Sequence, residues 1–148
     1  MDPARDAATA IRSFVAGDIA SALNLWSGIA GLAIGEADTE EGITRFLERN
    51  PGFSAIAVTA SGAVVGAVLC GHNGRAGFLY HLAVATTHRG QGVGTRLAEF
   101  CLAKLAQTGI RRCNIFVYTD NEPGNRFWLR NGWKDPPDWK VMQRPVEI

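Results

Sequence analysis

A chain of 148 residues, 47% hydrophobic and 20% charged, has the length and composition of one soluble globular domain whose core needs no metal or disulfide. Its formal net charge of +1 gives no long-range field toward nucleic acid or a membrane surface, so neither is expected as a partner. Cys70, Cys101 and Cys113 are an odd set without CxxC spacing, and His72, His81 and His88 lack an HExxH-like pattern, so no metal site is expected and the thiols read as buried, in a reducing compartment.

Met1 to Ala10 carries Asp2, Arg5 and Asp6 and no apolar run, unlike a signal peptide. No stretch reaches the ~20 apolar residues of a membrane span, so a cytoplasmic protein is expected. Ile11 to Val15 reads as a short strand. Asp18 can cap a helix over 18–29, where Ile19, Leu23, Trp26 and Ile29 recur at helical spacing. Gly28 to Asp38 holds three glycines and reads as a loop. Thr39 then caps a second helix with Glu40 and Glu41 in its first turn and Ile43, Phe46 and Leu47 as its apolar face; Asn50-Pro51-Gly52 ends it. Ser54 to Ala60 and Ala63 to Cys70 read as a hairpin, Gly71 to Gly77 as a turn, and Phe78 to Ala85 as a central strand. Val93, Leu97, Cys101 and Leu105 mark a helix that ends near Gly109. Cys113 to Tyr118 is a strand, Glu122 to Asn131 a short helix, and Pro136-Pro137 opens a last extended segment through Val146. The order β-α-α-β-β-β-α-β-α-β predicts a mixed α/β (α+β) fold, a single domain over 1–148, with one strand–helix–strand crossover in its second half.

The informative feature is an apolar strand that runs into Arg89-Gly90-Gln91-Gly92-Val93-Gly94 and then into a helix. Glycine in a helix's first turns costs roughly 1 kcal/mol relative to alanine, so Gly92 and Gly94 need a compensating reason. Glycine lets a bulky group approach the backbone, and a helix N-terminus offers unpaired N–H groups with a partial positive charge. Together they make a phosphate site, with the Arg89 cation at its edge. Thr95-Arg96 does not supply the Gly-Lys-Ser/Thr ending of a Walker A loop, and Thr95 stands where a dinucleotide fingerprint counted from Gly90 needs a third glycine.

With its flanks, the turn resembles that of the GNAT superfamily of acetyl-CoA-dependent N-acetyltransferases. The family's Arg/Gln-x-x-Gly-x-Gly/Ala is matched by Arg89, Gly92 and Gly94, after a strand ending Leu82-Ala83-Val84. The asparagine, aromatic pair and glycine-aromatic pair that follow in the family are matched by Asn121, Phe127-Trp128 and Gly132-Trp133. The resemblance implies a central, mostly antiparallel twisted sheet of 6–7 strands flanked by about four helices. It also implies two parallel strands that splay at the cofactor site. Acetyl-CoA is the implied co-substrate, with no metal. Leu82, Ala83 and Val84 are implied to face the pantetheine arm, and residues 89–95 (Gly90, Gln91, Val93 and Thr95 included) to hold the pyrophosphate. Asn121 is implied to hydrogen-bond the pantetheine or the adenine side of the co-substrate, and Asn125 and Trp128 to line its thiol end.

The implied reaction is direct attack of a neutral amine on the acetyl thioester. Neutralising a lysine-like amine at pH 7 costs roughly 4–5 kcal/mol, so a base or a water chain to one is needed. The oxyanion needs a donor, and the resemblance implies the backbone N–H of Val84 or Leu82 for it. Many family members carry a tyrosine acid where this chain has Trp128, which cannot give up a proton usefully. That acid is either absent or supplied elsewhere, with Tyr80, Tyr118 and water as the candidates. The glutamates that serve some relatives as base fall here near Phe78 and Phe116, which are inert. Glu36, in the loop between the first two helices, and His81, on the central strand, are the remaining candidates. Glu36, Asp38, Glu40 and Glu41 form an acidic cluster that would suit a cationic acceptor, although the helix dipole equally explains acids at a helix start. The primary expectation is therefore acetylation of a primary amine on a small molecule or peptide. A non-catalytic acetyl-CoA-binding or sensing domain is the second reading, and a nucleotide-binding module the third. The acceptor loops, 28–42 and 133–140, do not disclose the acceptor, and the tryptophan-bearing tail leaves a homodimer open.

Overall fold

The computed structural model describes residues 9–148. Most of the N-terminal segment read above as non-apolar, residues 1–8, lies outside the described residues. The described chain divides into two compact units between Phe116 and Val117.

The first unit is built on a five-stranded sheet in the order β1 (Ala10–Ser13), β2 (Ala55–Val58), β3 (Val64–His72), β4 (Gly77–Val84), β5 (Cys113–Ile115). The first three pairings are antiparallel and β4/β5 is parallel. Helices α1 (Ile19–Ser27) and α2 (Glu40–Arg49) come before β2, and α3 (Val93–Gln107) makes the β4-to-β5 crossover that a parallel pair requires. Trp26, Ile19 and Ala22 of α1 and Ile43 of α2 form one core with Phe14, Ile56, Ala67, Leu69 and Ala83. On α3, Leu97, Ala98, Cys101 and Leu105 are buried at helical spacing. Gly66 and Gly77 let α3 approach the strands. A Cβ at Gly66 would lie 2.9 Å from Leu97 Cδ1, and one at Gly77 2.5 Å from Leu105 Cδ1.

The second unit holds α4 (Glu122–Arg130), capped by the Asn121 side chain, whose Oδ1 accepts from Gly124 N–H at 3.1 Å. Helix α4 stops where expected, at Asn131-Gly132, with Gly132 at φ +88°.

Two strand expectations are corrected. Among the described residues the sheet has five strands rather than 6–7, because 136–146 form none. Pro136, Pro137 and Pro145 lack the N–H a ladder needs, and Trp139, Val141 and Met142 stand exposed. The strand expected over Cys113 to Tyr118 ends at Ile115. The turn expected over Gly71 to Gly77 is shorter: β3 reaches His72, and Asn73 Oδ1 closes the turn by accepting from Arg75 N–H and Ala76 N–H at 2.9 and 3.0 Å. The other elements fall within a few residues of their expected bounds, since burial periodicity sets them.

Candidate functional site

Strand β4 changes partners along its length. Its pairing with β5 covers only Gly77↔Cys113 to Leu79↔Ile115, whereas its pairing with β3 continues to Gly66↔Val84. Beyond Leu79 the parallel pairing ends, and one edge of Tyr80–Val84 carries no strand of the sheet. Ala85 N–H donates to Val65 O at 2.8 Å, which fixes the alternation of the antiparallel ladder. Val84, opposite Gly66, is then in a non-hydrogen-bonded pair, and its N–H and C=O point away from β3 toward that edge. Leu82 shares that direction, while Ala83 is bonded to β3. The Val84 carbonyl accepts from Arg89 Nε at 3.0 Å, so the arginine folds back over the strand end.

A bulge interrupts β4 just beyond the end of the parallel pairing. Ala67 pairs with Ala83 but Leu69 pairs with Tyr80, so His81 and Leu82 together face Val68. His81 takes up the extra residue at φ +58°. It is the one non-glycine with positive φ among the described residues, a conformation that costs ~1–2 kcal/mol. Its imidazole is turned out of the ladder and toward α1, where its ring lies 5.3 Å from that of the fully buried Trp26.

The imidazole also meets the loop between α1 and α2. His81 Nε2 lies 2.8 Å from Asp38 Oδ2. The same Asp38 oxygen accepts from Gly35 N–H at 2.7 Å, and Asp38 N–H donates to Gly35 O at 3.1 Å. This reciprocal closure puts Glu36 and Ala37 at the turn's apex and Asp38 at its base. The exposed Glu36 thus points to solvent, and the acidic residue brought to His81 is Asp38. The acidic cluster separates in the fold: Glu40 and Glu41 sit with Thr44 and Glu48 on the outer side of α2, and Glu41 pairs with Arg45 at 3.3 Å.

After β4, a 3₁₀ turn over Thr86–His88 leads into Arg89 and the glycines. Gly90 and Gly92 have φ of +75° and +79°, and a Cβ at either would meet open space. Helix α3 begins at Gly92 without a side-chain cap, unlike α2, where Thr39 Oγ1 accepts from Gly42 N–H at 3.0 Å. The first bond within α3 runs from Arg96 N–H to Gly92 O, so the N–H groups of Val93 and Gly94 lie at the open helix end. In the same turn the Gln91 side-chain oxygen is buried without a hydrogen-bond partner in the protein. An uncapped helix end and two left-handed glycines facing open space fit an anionic ligand laid across the turn.

Tyr80 is half-buried on β4, and burial raises its phenol above the ordinary tyrosine range. Tyr118, Asn121, Asn125 and Trp128 belong to the second unit. Tyr118 is exposed. Asn125 Nδ2 donates to Tyr118 O and Asn121 O at 3.0 and 2.7 Å, and Asn121 Oδ1 is engaged in capping α4. Both asparagines thus order their own loop. The Trp128 ring is flanked edge-on by Phe127 at 5.0 Å and Trp133 at 4.9 Å.

A hydrogen bond with Cys70, then burial, raises the Cys101 thiol, and burial raises the Cys113 thiol to about 12, so neither is a nucleophile at neutral pH. Among the described residues no group of three or more His, Cys, Asp or Glu is placed to hold a metal ion, and no helix is long and apolar enough to cross a membrane.

Comparison with known proteins bears on the fold and the family. The chain is 34% identical over 112 residues to an acetyltransferase of Yersinia enterocolitica, covering 76% of this chain and 78% of that one. Its fold matches a crystal structure of Ard1 from Thermoplasma volcanium, with a TM-score of 0.74 and 24% identity over 84% of this chain and 82% of that one. It also matches the PaiA N-acetyltransferase of Thermoplasma acidophilum in complex with coenzyme A, with a TM-score of 0.74 and 17% identity over 85% of this chain and 89% of that one. Residues 21–133 match the acetyltransferase (GNAT) family across the end of the β4/β5 pairing and the glycine turn, and the chain belongs to that family.

Proposed function

We propose that this enzyme moves the acetyl group of acetyl-CoA to a primary amine by direct attack in a ternary complex, with both compact units forming one acetyltransferase domain. The observation that carries this reading is the open edge that β4 keeps beyond its pairing with β5, immediately before an uncapped, glycine-opened helix. A family match that runs across the boundary between the units supports the single domain.

In this reading the N–H groups of residues 89–95 and the Arg89 side chain hold the pyrophosphate. The open edge at Leu82 and Val84 takes the pantetheine arm as an added strand. Asn121, Asn125 and Trp128 are assigned to the same co-substrate by their place in the family motif. Bound there, acetyl-CoA supplies an activated acyl group and a thiolate leaving group with a pKa of ~8.5. The Val84 N–H, fixed in direction by the ladder, is the donor for the developing oxyanion.

His81 is the base. Asp38 accepts the Nε2 proton, which leaves the lone pair on Nδ1, and that atom takes the proton from the attacking amine. As the amine nitrogen bonds to the carbonyl carbon, the carbon–sulfur bond breaks and its electron pair leaves with the sulfur. Tyr80 keeps its proton at working pH and is the acid nearest in sequence to the base, with Tyr118 the alternative. Protonating a thiolate of ordinary basicity is worth on the order of 2 kcal/mol at pH 7, so the tryptophan at 128 does not disable the reaction. The Asp38–His81 pair favours catalysis over the sensing reading, because a sensor needs no oriented base.

Incubation with acetyl-CoA and an amine panel, with thiol release as the readout, tests the proposal. Acetylation of at least one amine is expected. Coenzyme A binding with no amine ever acetylated would replace the enzyme by a sensor.

A further inference from the structure

The gap between β4 and β5 is lined on one side by aromatic side chains, of which the mechanism above uses Tyr80 alone. Phe78 and Tyr80 stand two apart on β4 and so share a face, and Phe116 follows directly after β5. Their ring centroids are 6.3 Å apart for Phe78–Tyr80, 6.3 Å for Phe78–Phe116 and 6.1 Å for Tyr80–Phe116. The corresponding interplanar angles are 19°, 5° and 22°. In a column of three parallel rings the outer pair would be twice as far apart as the neighbours. Three nearly equal separations instead place the centroids at the corners of a triangle, so no ring is sandwiched between the other two and the three side chains make one aromatic layer on this face of the sheet. Phe46 of α2 props this layer from its edge, with its ring 5.9 Å from Tyr80 at 89°. Phe116 is 53% exposed, an unusual state for a phenylalanine tied to two other rings.

The layer faces the same side of the sheet as the base. Tyr80 packs against the core that contains Trp26, and the His81 ring rests on Trp26. Charge on this face is sparse. Asp38 is bonded to His81 and to Gly35 N–H, while Glu40, Glu41 and Glu48 lie on the outer side of α2. A polycation would leave most of its charge without a partner there, whereas a flat apolar body would cover ring surface that is now in water.

We propose that Phe78, Tyr80 and Phe116 form the floor of the acceptor site and select a primary amine carried on a flat aromatic body. This rests on the acetyl-transfer reading. One ammonium group over the ring faces gains a cation–π attraction before it is deprotonated, and the aromatic body stacks on the remaining rings.

The test is calorimetric binding of phenethylamine and of spermidine to the full chain saturated with coenzyme A, for wild type, Phe116→Ala and Phe116→Tyr. Wild type is expected to prefer phenethylamine by about tenfold or more. Phe116→Ala should bring the two affinities within about threefold, and Phe116→Tyr should keep the preference, since it restores the flat ring. The ratio between two amines cancels any effect of the substitution on coenzyme A. Equal affinities in wild type, a preference for spermidine, or a ratio unmoved by Phe116→Ala in a folded protein would each overturn the floor. Turnover is read separately: selective binding without acetylation counts against the enzyme reading and leaves the floor standing, and faster acetylation of spermidine does the reverse.

Discussion

His81 Nε2 and Asp38 Oδ2 lie 2.8 Å apart, across 43 positions of sequence, and join a bulge of the central strand to the loop that precedes the second helix. Both side chains are largely shielded, with 20% and 11% of their surfaces exposed. The contact fixes which imidazole nitrogen carries the lone pair. His81→Ala should lower turnover by roughly 10²–10⁴-fold, the usual contribution of a positioned base. Asp38→Asn should lower it by about tenfold or more, and Glu36→Gln should leave it unchanged. Steady-state kinetics with acetyl-CoA affinity measured in parallel decides this: a slow Glu36→Gln and a wild-type Asp38→Asn would transfer the base to Glu36.

Gly42 provides a test of the loop rather than of the dyad itself. A Cβ there would collide with the Ala37 carbonyl oxygen, a backbone atom with little room to yield. Gly42→Ala should therefore push the 35–39 turn outward and draw Asp38 from His81. The expected result is a fall in kcat of about tenfold with coenzyme A affinity unchanged. Equal activity in a folded Gly42→Ala would show that the loop's position does not matter.

The glycine turn predicts a separation of stability from binding. Gly92→Ala has open space for its methyl but keeps φ +79°, so it should cost about 1–2 kcal/mol of stability. Gly92→Glu adds bulk and negative charge at the helix end and should lower coenzyme A affinity by about a hundredfold or more. Titration calorimetry on the folded variants checks both. Wild-type affinity in Gly92→Glu would displace the pyrophosphate from this turn.

Away from the site, Arg12 Nη1 and Nη2 reach both Asp18 oxygens at 2.7 and 2.8 Å, and Asp18 also accepts from Val15 N–H at 2.9 Å. The Arg12 hydrogen bond first, then the Val15 N–H, hold the Asp18 carboxyl below its ordinary range. A carboxyl lowered in the folded state stabilises above its unfolded pKa, and this contribution is lost as pH falls through the folded value. Asp18→Ala should cost about 2 kcal/mol at pH 7, and the gap to wild type should narrow steadily below about pH 4. Urea titrations at pH 7 and pH 3 measure it; a gap that does not narrow would assign the cost to packing.

Thiol chemistry offers the simplest pH test. Burial, then the neighbouring Cys70, push the Cys113 thiol up to about 12. Iodoacetamide should therefore label Cys113 slowly through pH 9 and rapidly once the chain is unfolded in urea. Rapid labelling at pH 7 in the native protein would contradict its burial.

How much of this was legible beforehand can be seen residue by residue. The helical spacing of Val93, Leu97, Cys101 and Leu105 and the capping Thr39 located α3 and α2 almost to the residue, because amphipathic periods and caps are local. The last extended segment was misread as a strand. Its apolar residues suggested one, but strand formation depends on a partner's N–H and C=O groups, and three prolines weaken that offer.

The sequence by itself determined the glycine turn proposed to hold the acetyl donor. Arg89, Gly90, Gln91, Gly92, Val93 and Gly94 are contiguous, and a glycine-opened helix start is a local device whose chemistry follows from backbone dipoles. The contacts from which the acceptor end is proposed arise only in the tertiary structure. Asp38 became His81's partner through a turn whose closure turns Glu36 outward, and Phe116 joined Phe78 and Tyr80 through the parallel pairing of β4 with β5. Such contacts between distant residues depend on strand register and loop closure, which leave no period in the sequence.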